Sequence, residues 1–194
     1  IGVYFSQNSS NSSISINIPT KGLKQIITIA NIHNNIKNCF EEIADIDEHC
    51  ARLISNYSKK FPFVLEGEVP QNTNGFESII NMCAKVLGIN SSKEFEDMAL
   101  NTSMTSGIQI DMKLVSLDGV NYLDYRRIVQ SIMAYKMADV DNITLVYSFF
   151  ESLSEFICNY VNEIATDLKA KDVVLCGNMF ANSILLSKTN KTLF

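Results

Sequence analysis

The segment Asp172–Ser187, DVVLCGNMFANSILLS, constrains the fold more than any other stretch of the chain. A β-branched run, Val173-Val174-Leu175, meets the pair Gly177-Asn178, and a helical pattern opens at once. A buried strand that turns sharply into a helix implies an α/β sheet. Such a turn directs backbone N–H groups and the positive end of a helix dipole at one place, which suits a phosphate.

The rest of the sequence supplies partners for that strand. Ile1–Phe5 and Ser13–Ile18 alternate or run apolar around the polar stretch Gln7–Ser12, which predicts two strands and a loop, and Ile26–Ile32 predicts a third. From Asn34 to Lys60 apolar residues recur every three or four positions, the mark of one amphipathic helix or of two with a break near Asp45. Pro62 ends it, and Val64–Pro70 reads as irregular or as a short edge strand. Asn72-Thr73-Asn74-Gly75 offers turn and cap residues to a helix that Gly88 closes, and Ser91-Ser92 starts a short one to about Leu100. Ile108–Leu117 alternates before the hairpin pair Asp118-Gly119. Asp124 then caps a helix to about Met137, and Asp139 or Asp141 a long one to about Leu168.

Composition narrows the function classes. With 46% hydrophobic and 19% charged residues, the 194-residue chain can bury one good core or two small ones that share an interface. A net charge of −5 offers no footprint for a nucleic-acid backbone, so no nucleic-acid partner is expected. The five cysteines form no C-x-x-C pair, which argues against a disulfide framework or zinc knuckle and for a reducing cytoplasm. No apolar run reaches the roughly 20 residues of a membrane span, and no leader pattern precedes the first strand, so no membrane partner is expected. The start at Ile1 and the end at Phe194 without a further strand read as an excised piece.

Few residues suggest chemistry by themselves. Asn182 lies one helical turn beyond Asn178, either as a ligand-facing amide or as a helix cap. His33 and His49 are the two histidines, far apart and without ligand spacing, so no metal site is expected. Cys176 follows a buried strand with no visible base and is expected to be an inert, buried thiol. The acidic groups Asp45–Glu48 and Glu94-x-Glu96-Asp97 are expected to be solvated helix faces.

Cys176-Gly177-Asn178-Met179-Phe180-Ala181-Asn182 resembles the strand-turn-helix of the HypF family of hydrogenase-maturation carbamoyltransferases and of their relatives in tRNA threonylcarbamoylation, which reads approximately LSGGVFQN or AGGVxAN. Gly75–Ala99 resembles the family's GRLFDAVAALLG and YEG stretch, with Val86-Leu87-Gly88 in register. Ile108–Tyr135 is similar to its hairpin and helix, and Val140–Ile164 to its long helix with an RFH-type signature. The resemblance implies an α/β fold of the ribonuclease-H-like, actin/sugar-kinase type, mainly the C-terminal half, with helical insertions. Residues 1–32 would be the strands of a partial sheet and 33–194 the carbamoyltransferase subdomain, with 75–188 the closest part.

By the same resemblance, the nucleotide-binding positions fall on Asn81, Glu96, Asp97, Gly177, Asn178 and Asn182, the last three toward phosphate and Asn81 and Glu96 toward ribose or adenine. The family's Asp is Asn81 here, its YEG glycine is Asp97, its second turn glycine is Asn178, and the histidine of its long helix is Phe150. The paired metal-holding histidines have no counterpart. The family chemistry uses ATP and carbamoyl phosphate to make carbamoyl-adenylate, whose carbamoyl group passes to a C-terminal cysteine of a HypE-like partner. The expected function is accordingly carbamoyl transfer with a degenerate site. The alternatives are an inactive homologue serving as a binding or dimerisation module, as in a homodimer, and a helical regulatory domain with no nucleotide site.

Overall fold

The computed structural model describes residues 1–8, 11–29, 35–66 and 75–193. Three strands open the chain: β1 (Gly2–Tyr4), β2 (Ser13–Ile18) and β3 (Gly22–Ile29) form an antiparallel meander. The third strand begins four residues before the Ile26 start expected from its apolar run. Its first half, Gly22–Gln25, is exposed and continues the hairpin with β2 without contributing to the core. The rest of the expected strand, residues 30–32, lies outside the described residues, as does His33.

The helical stretch that follows is two helices, α1 (Ile36–Ala44) and α2 (Glu48–Lys60). The break falls at Asp45–Asp47 because the Asp47 carboxylate accepts from the Cys50 N–H at 2.8 Å and caps a new helix. Pro62–Leu65 is a single 3₁₀ turn, not an edge strand, and residues 67–74 are outside the described set. Helix α3 (Phe76–Leu87) therefore starts from Gly75, whose φ of +84° needs glycine, and ends at left-handed Gly88. Helix α4 (Ser92–Leu100) is capped by Ser91, whose hydroxyl accepts from the Glu94 N–H at 3.1 Å.

Residues 108–113 are not strand, although they alternate. Three of their N–H groups bond side chains instead: Ile108 to Ser148 Oγ, Ile110 to Ser152 Oγ and Asp111 to Ser131 Oγ. Pairing begins only with β4 (Leu114–Leu117), joined to β5 (Val120–Leu123) through Asp118 and Gly119, both at positive φ as a two-residue hairpin turn requires. Helices α5 (Tyr125–Met137) and α6 (Asn142–Leu168) follow, capped by Asp124 and Asp141. The chain closes with β6 (Val174–Cys176) and α7 (Ser183–Leu193).

All six strands among the described residues lie in one mixed sheet of order β4-β5-β3-β2-β1-β6, with β6 parallel to β1 and β5 parallel to β3. The core joins this sheet to the helices. Phe150 is fully buried and meets Phe95 and Phe149 edge to face at centroid distances of 6.1 and 5.2 Å. This architecture is the expected α/β, ribonuclease-H-like one. Its consequence for function lies in the parallel pair, since β1 and β6 present their C-terminal ends side by side.

Candidate functional site

Open α/β sheets hold ligands outside the carboxyl ends of their strands, at the point where the strand order switches. Here Phe5-Ser6-Gln7 leaves β1 and Gly177-Asn178 leaves β6. The Phe5 N–H donates to the Cys176 carbonyl at 2.9 Å, so the two exits stay in contact for one more residue. The N-terminus of α3 arrives from the side, with Phe76 N and Glu77 N donating to the Ser6 and Gln7 carbonyls at 3.4 and 3.0 Å.

Gly177 occupies φ +101°, ψ 157°, a conformation all but confined to glycine. A Cβ there would collide with the carbonyl and amide of Phe5. Glycine is demanded by the neighbouring strand's backbone, a reason that holds without any ligand. The chain then makes a 3₁₀ turn over Asn178–Ala181 before α7, so the helix does not open directly after the glycine as the sequence pattern suggests. Three of the turn's donors are already engaged within the chain. Met179 N–H is taken by the Phe5 carbonyl at 3.2 Å, Phe180 N–H by Gly177 at 3.3 Å and Asn182 N–H by Met179 at 3.2 Å.

Asn182 consequently stands at the N-terminus of α7, not one turn inside a helix shared with Asn178. Its Oδ1 accepts from Ile184 N and Leu185 N at 3.1 and 3.2 Å, a cap, while its Nδ2 donates to Glu96 Oε1 at 3.0 Å. It is 1% exposed, so both ends of the amide are used in the interior. The other Glu96 oxygen, Oε2, accepts from Gln7 Nε2 at 3.0 Å, and the Gln7 backbone N–H donates to Asn178 Oδ1 at 2.7 Å. Glu96, Asn178 and Asn182 thus meet at one site, and Gln7, which the sequence pattern does not single out, ties them together. The signal for it is positional: Gln7 lies just past the C-terminal end of the first strand.

Asn81 is one step removed. Its Oδ1 accepts from the Ser92 N–H at 3.1 Å, and Ser92 Oγ reaches Glu77 Oε1 at 3.4 Å, so α3 holds the start of α4. Ser92 and Glu96 are four apart on α4 and share a face, which links Asn81 to the cluster through one helix turn. Asp97 is not brought in. It is exposed and lines an open hollow with Lys93, Met98 and Ile143, turned away by the roughly 100° that one residue rotates a helix.

Cys176, expected to be buried, is exposed. Strand β6 is the outer strand of the sheet, so a side chain that a central position would cover on both faces is open here. The other four cysteines are buried, and burial pushes the Cys39 and Cys83 thiols far above the ordinary thiol range. Among the described residues no group of three or more His, Cys, Asp or Glu is placed to hold a metal ion, and His49 is exposed.

A family model described as carbamoyltransferase, Kae1-like domain, second subdomain, matches residues 78–194, more than half of the chain. The chain belongs to this Kae1-like carbamoyltransferase family. The matched part contains α4, β6 and the Gly177 turn, while Gln7 lies outside it. Among curated proteins, Protein HydE of Wolinella succinogenes is 25% identical over 163 residues, which are 77% of this chain and 30% of that protein. Among solved structures, full-length HypF in a phosphate- and nucleotide-bound form superposes on the whole chain with a TM-score of 0.68 at 15% identity. HypF of T. kodakarensis superposes on 88% of it with a TM-score of 0.60 at 11% identity. The chain spans less than a third of each of these relatives, 30%, 29% and 26% of their lengths in turn. No described helix is long and apolar enough to cross a membrane.

Proposed function

We propose that the chain is the second-subdomain portion of a HypF-like carbamoyltransferase of hydrogenase maturation, in which the cluster at the ends of β1 and β6 forms one wall of a nucleotide cleft. The observation that carries this reading is Glu96, a half-buried carboxylate held by the amides of Gln7 and Asn182 beyond the C-terminal ends of a parallel strand pair. Each carboxylate oxygen has a lone pair to spare after accepting one hydrogen bond, so Glu96 remains an acceptor for ligand hydroxyls. The residues fit the nucleoside end of ATP, whose ribose and adenine offer donors. They fit the polyphosphate less well, because the turn's N–H groups of Met179, Phe180 and Asn182 are already bonded within the chain and Glu96 adds negative charge.

In this reading carbamoyl phosphate loses phosphate to water, the carbamate so formed displaces pyrophosphate from ATP to give carbamoyl-adenylate, and AMP leaves as the carbamoyl group passes to the cysteine thiol of a HypE-like partner. The part of this chain is to bind and orient the nucleoside: Glu96 accepts from hydroxyls, while Asn178 and Asn182 fix the turn beside them. The setting is the cytoplasm, where a partner cysteine stays reduced.

A second reading has its own support. Asn182, Gln7, Glu96 and Asn178 are hydrogen-bonded to one another without any ligand, as they would be in an inactive homologue that keeps the fold as a binding or dimerisation module. Thermal melting with ATP and magnesium separates the two. At a hundredfold excess over Kd a nucleotide site gains about 2.7 kcal/mol of stability, and the melting temperature rises with ATP but not with inorganic triphosphate alone. An unchanged melting temperature at millimolar ATP, together with capture of a HypE-like partner, favours the module. Loss of both would leave neither reading standing.

A further inference from the structure

We propose that Gln7 is the positioning residue of this site, the group that sets the direction of the Glu96 carboxylate and the seat of the Asn178 turn. Three separate groups of this one residue reach three elements. Its backbone N–H donates to Asn178 Oδ1 at 2.7 Å, its carbonyl accepts from Glu77 N at the start of α3 at 3.0 Å, and its side-chain Nε2 donates to Glu96 Oε2 at 3.0 Å on α4. The partners lie 171, 70 and 89 residues away in the chain, so no local structure brings them together. Because the backbone of Gln7 is fixed at both its donor and its acceptor, its side chain leaves from a defined point and holds the carboxylate at a defined angle.

The chemistry of the contact requires a donor at position 7. A carboxylate accepts only, and Oε1 of Glu96 is already bonded to Asn182, so the second oxygen is held in place only by a group that donates to it. An amide meets that need without charge, which leaves the full negative charge of Glu96 available to a ligand; a lysine or arginine here would neutralise it. The consequence for ligand binding rests on the nucleotide reading given above. The consequence for the placement of Glu96 does not.

Donor exchange tests both. Gln7→Glu puts a second acceptor against Glu96 and breaks the contact at constant size, whereas Gln7→Glu combined with Glu96→Gln restores it with the roles reversed: the amide of position 96 donates to position 7 and its oxygen still accepts from Asn182. The side-chain Nδ2 resonances of Asn182, assigned by NMR on the folded chain, report the placement without ligand. They are expected to move in Q7E and to return toward the wild-type shift in Q7E/E96Q, with melting temperatures falling and recovering in the same order. Gln7→Ala, which only removes the donor, is expected to weaken ATP binding by about tenfold, the scale of one lost hydrogen bond to a charged group.

Resonances that stay in place in Q7E, or a double variant that fails to recover where Q7A folds normally, would overturn the positioning role. Wild-type affinity for ATP in Q7A would overturn the consequence for ligand binding. If the wild-type chain takes up no ATP while the resonances move and recover as stated, the nucleotide reading fails and the role of Gln7 stands.

Discussion

Gly177 shows how a single residue can be required for two different reasons, only one of which is visible in the sequence. A glycine after a strand and before a helix suggests room for a ligand. In the structure the room is taken by the Phe5 backbone, and the φ of +101° excludes other residues independently. Gly177→Ala is therefore expected to destabilise the fold by about 3 kcal/mol, combining backbone strain with a clash against an unyielding main chain. Denaturant melts would measure it, and a loss below about 1 kcal/mol would show that β1 and β6 part easily. Cys176, one residue earlier, supplies a complementary check on the outer position of β6. Of the five cysteines it alone is exposed, so the native chain should take up one equivalent of a maleimide at neutral pH and Cys176→Ser should take up none. Slow labelling of the wild type would mean that the thiol is covered in solution, as by a second copy or a partner.

At the scale of elements, what the sequence reveals depends on where the hydrogen bonds go. The helices are legible where caps and apolar periods are local: Ser91, Asp124 and Asp141 each mark a start that the structure keeps, whereas the sequence offers only a break near Asp45 for the start that Asp47 caps. Residues 108–113 alternate without being a strand because alternation reports which side chains face inward and says nothing of what the backbone bonds to. Two of their N–H groups are bound by the hydroxyls of Ser148 and Ser152 on α6, forty or so residues away, and Gly107 N–H by Glu151 Oε2 at 2.5 Å, so the segment is a strap laid along α6. Lys188 of α7 fastens the same place, bonding Glu151 and the Thr105 carbonyl at 2.5 and 2.7 Å. Ser152→Ala leaves the buried Ile110 N–H without a partner and is expected to cost about 1–2 kcal/mol. Amide exchange should quicken at Ile110 and its neighbours while α3 and α4 keep their rates. Uniform quickening across the chain would instead mean that the strap and the core open together. The candidate site shares the difficulty of the strap. Glu96 and Asn182 can be picked out through resemblance, but their meeting with Gln7 depends on which strands are neighbours.

For the molecule as a whole, strand order decides which parts can stand alone. A division at residue 32 follows naturally from the sequence, where three strands precede a long helical stretch. The sheet, however, runs β4-β5-β3-β2-β1-β6, so the two later pieces of sheet touch only through the first three strands. Strand β5 pairs with β3 at Ile27–Ile29, and β6 pairs with β1 at Gly2–Tyr4. Without residues 1–32, β4 and β5 would be an isolated hairpin and β6 a single three-residue strand, neither of which persists in water by itself. The helices would lose Val3, Phe5, Ile14, Ile27 and Ile29 from a core that runs continuously from Val3 to Leu185. Large buried side chains are worth about 1.5–3 kcal/mol each, and a domain of this size is stable by only about 5–15 kcal/mol in total. A fragment of residues 33–194 is therefore expected to keep some helical circular dichroism but to melt without a cooperative transition, and adding the peptide 1–32 in excess should restore one. A fragment that melts sharply without the peptide would show that the helices carry the fold and that the sheet is assembled upon them.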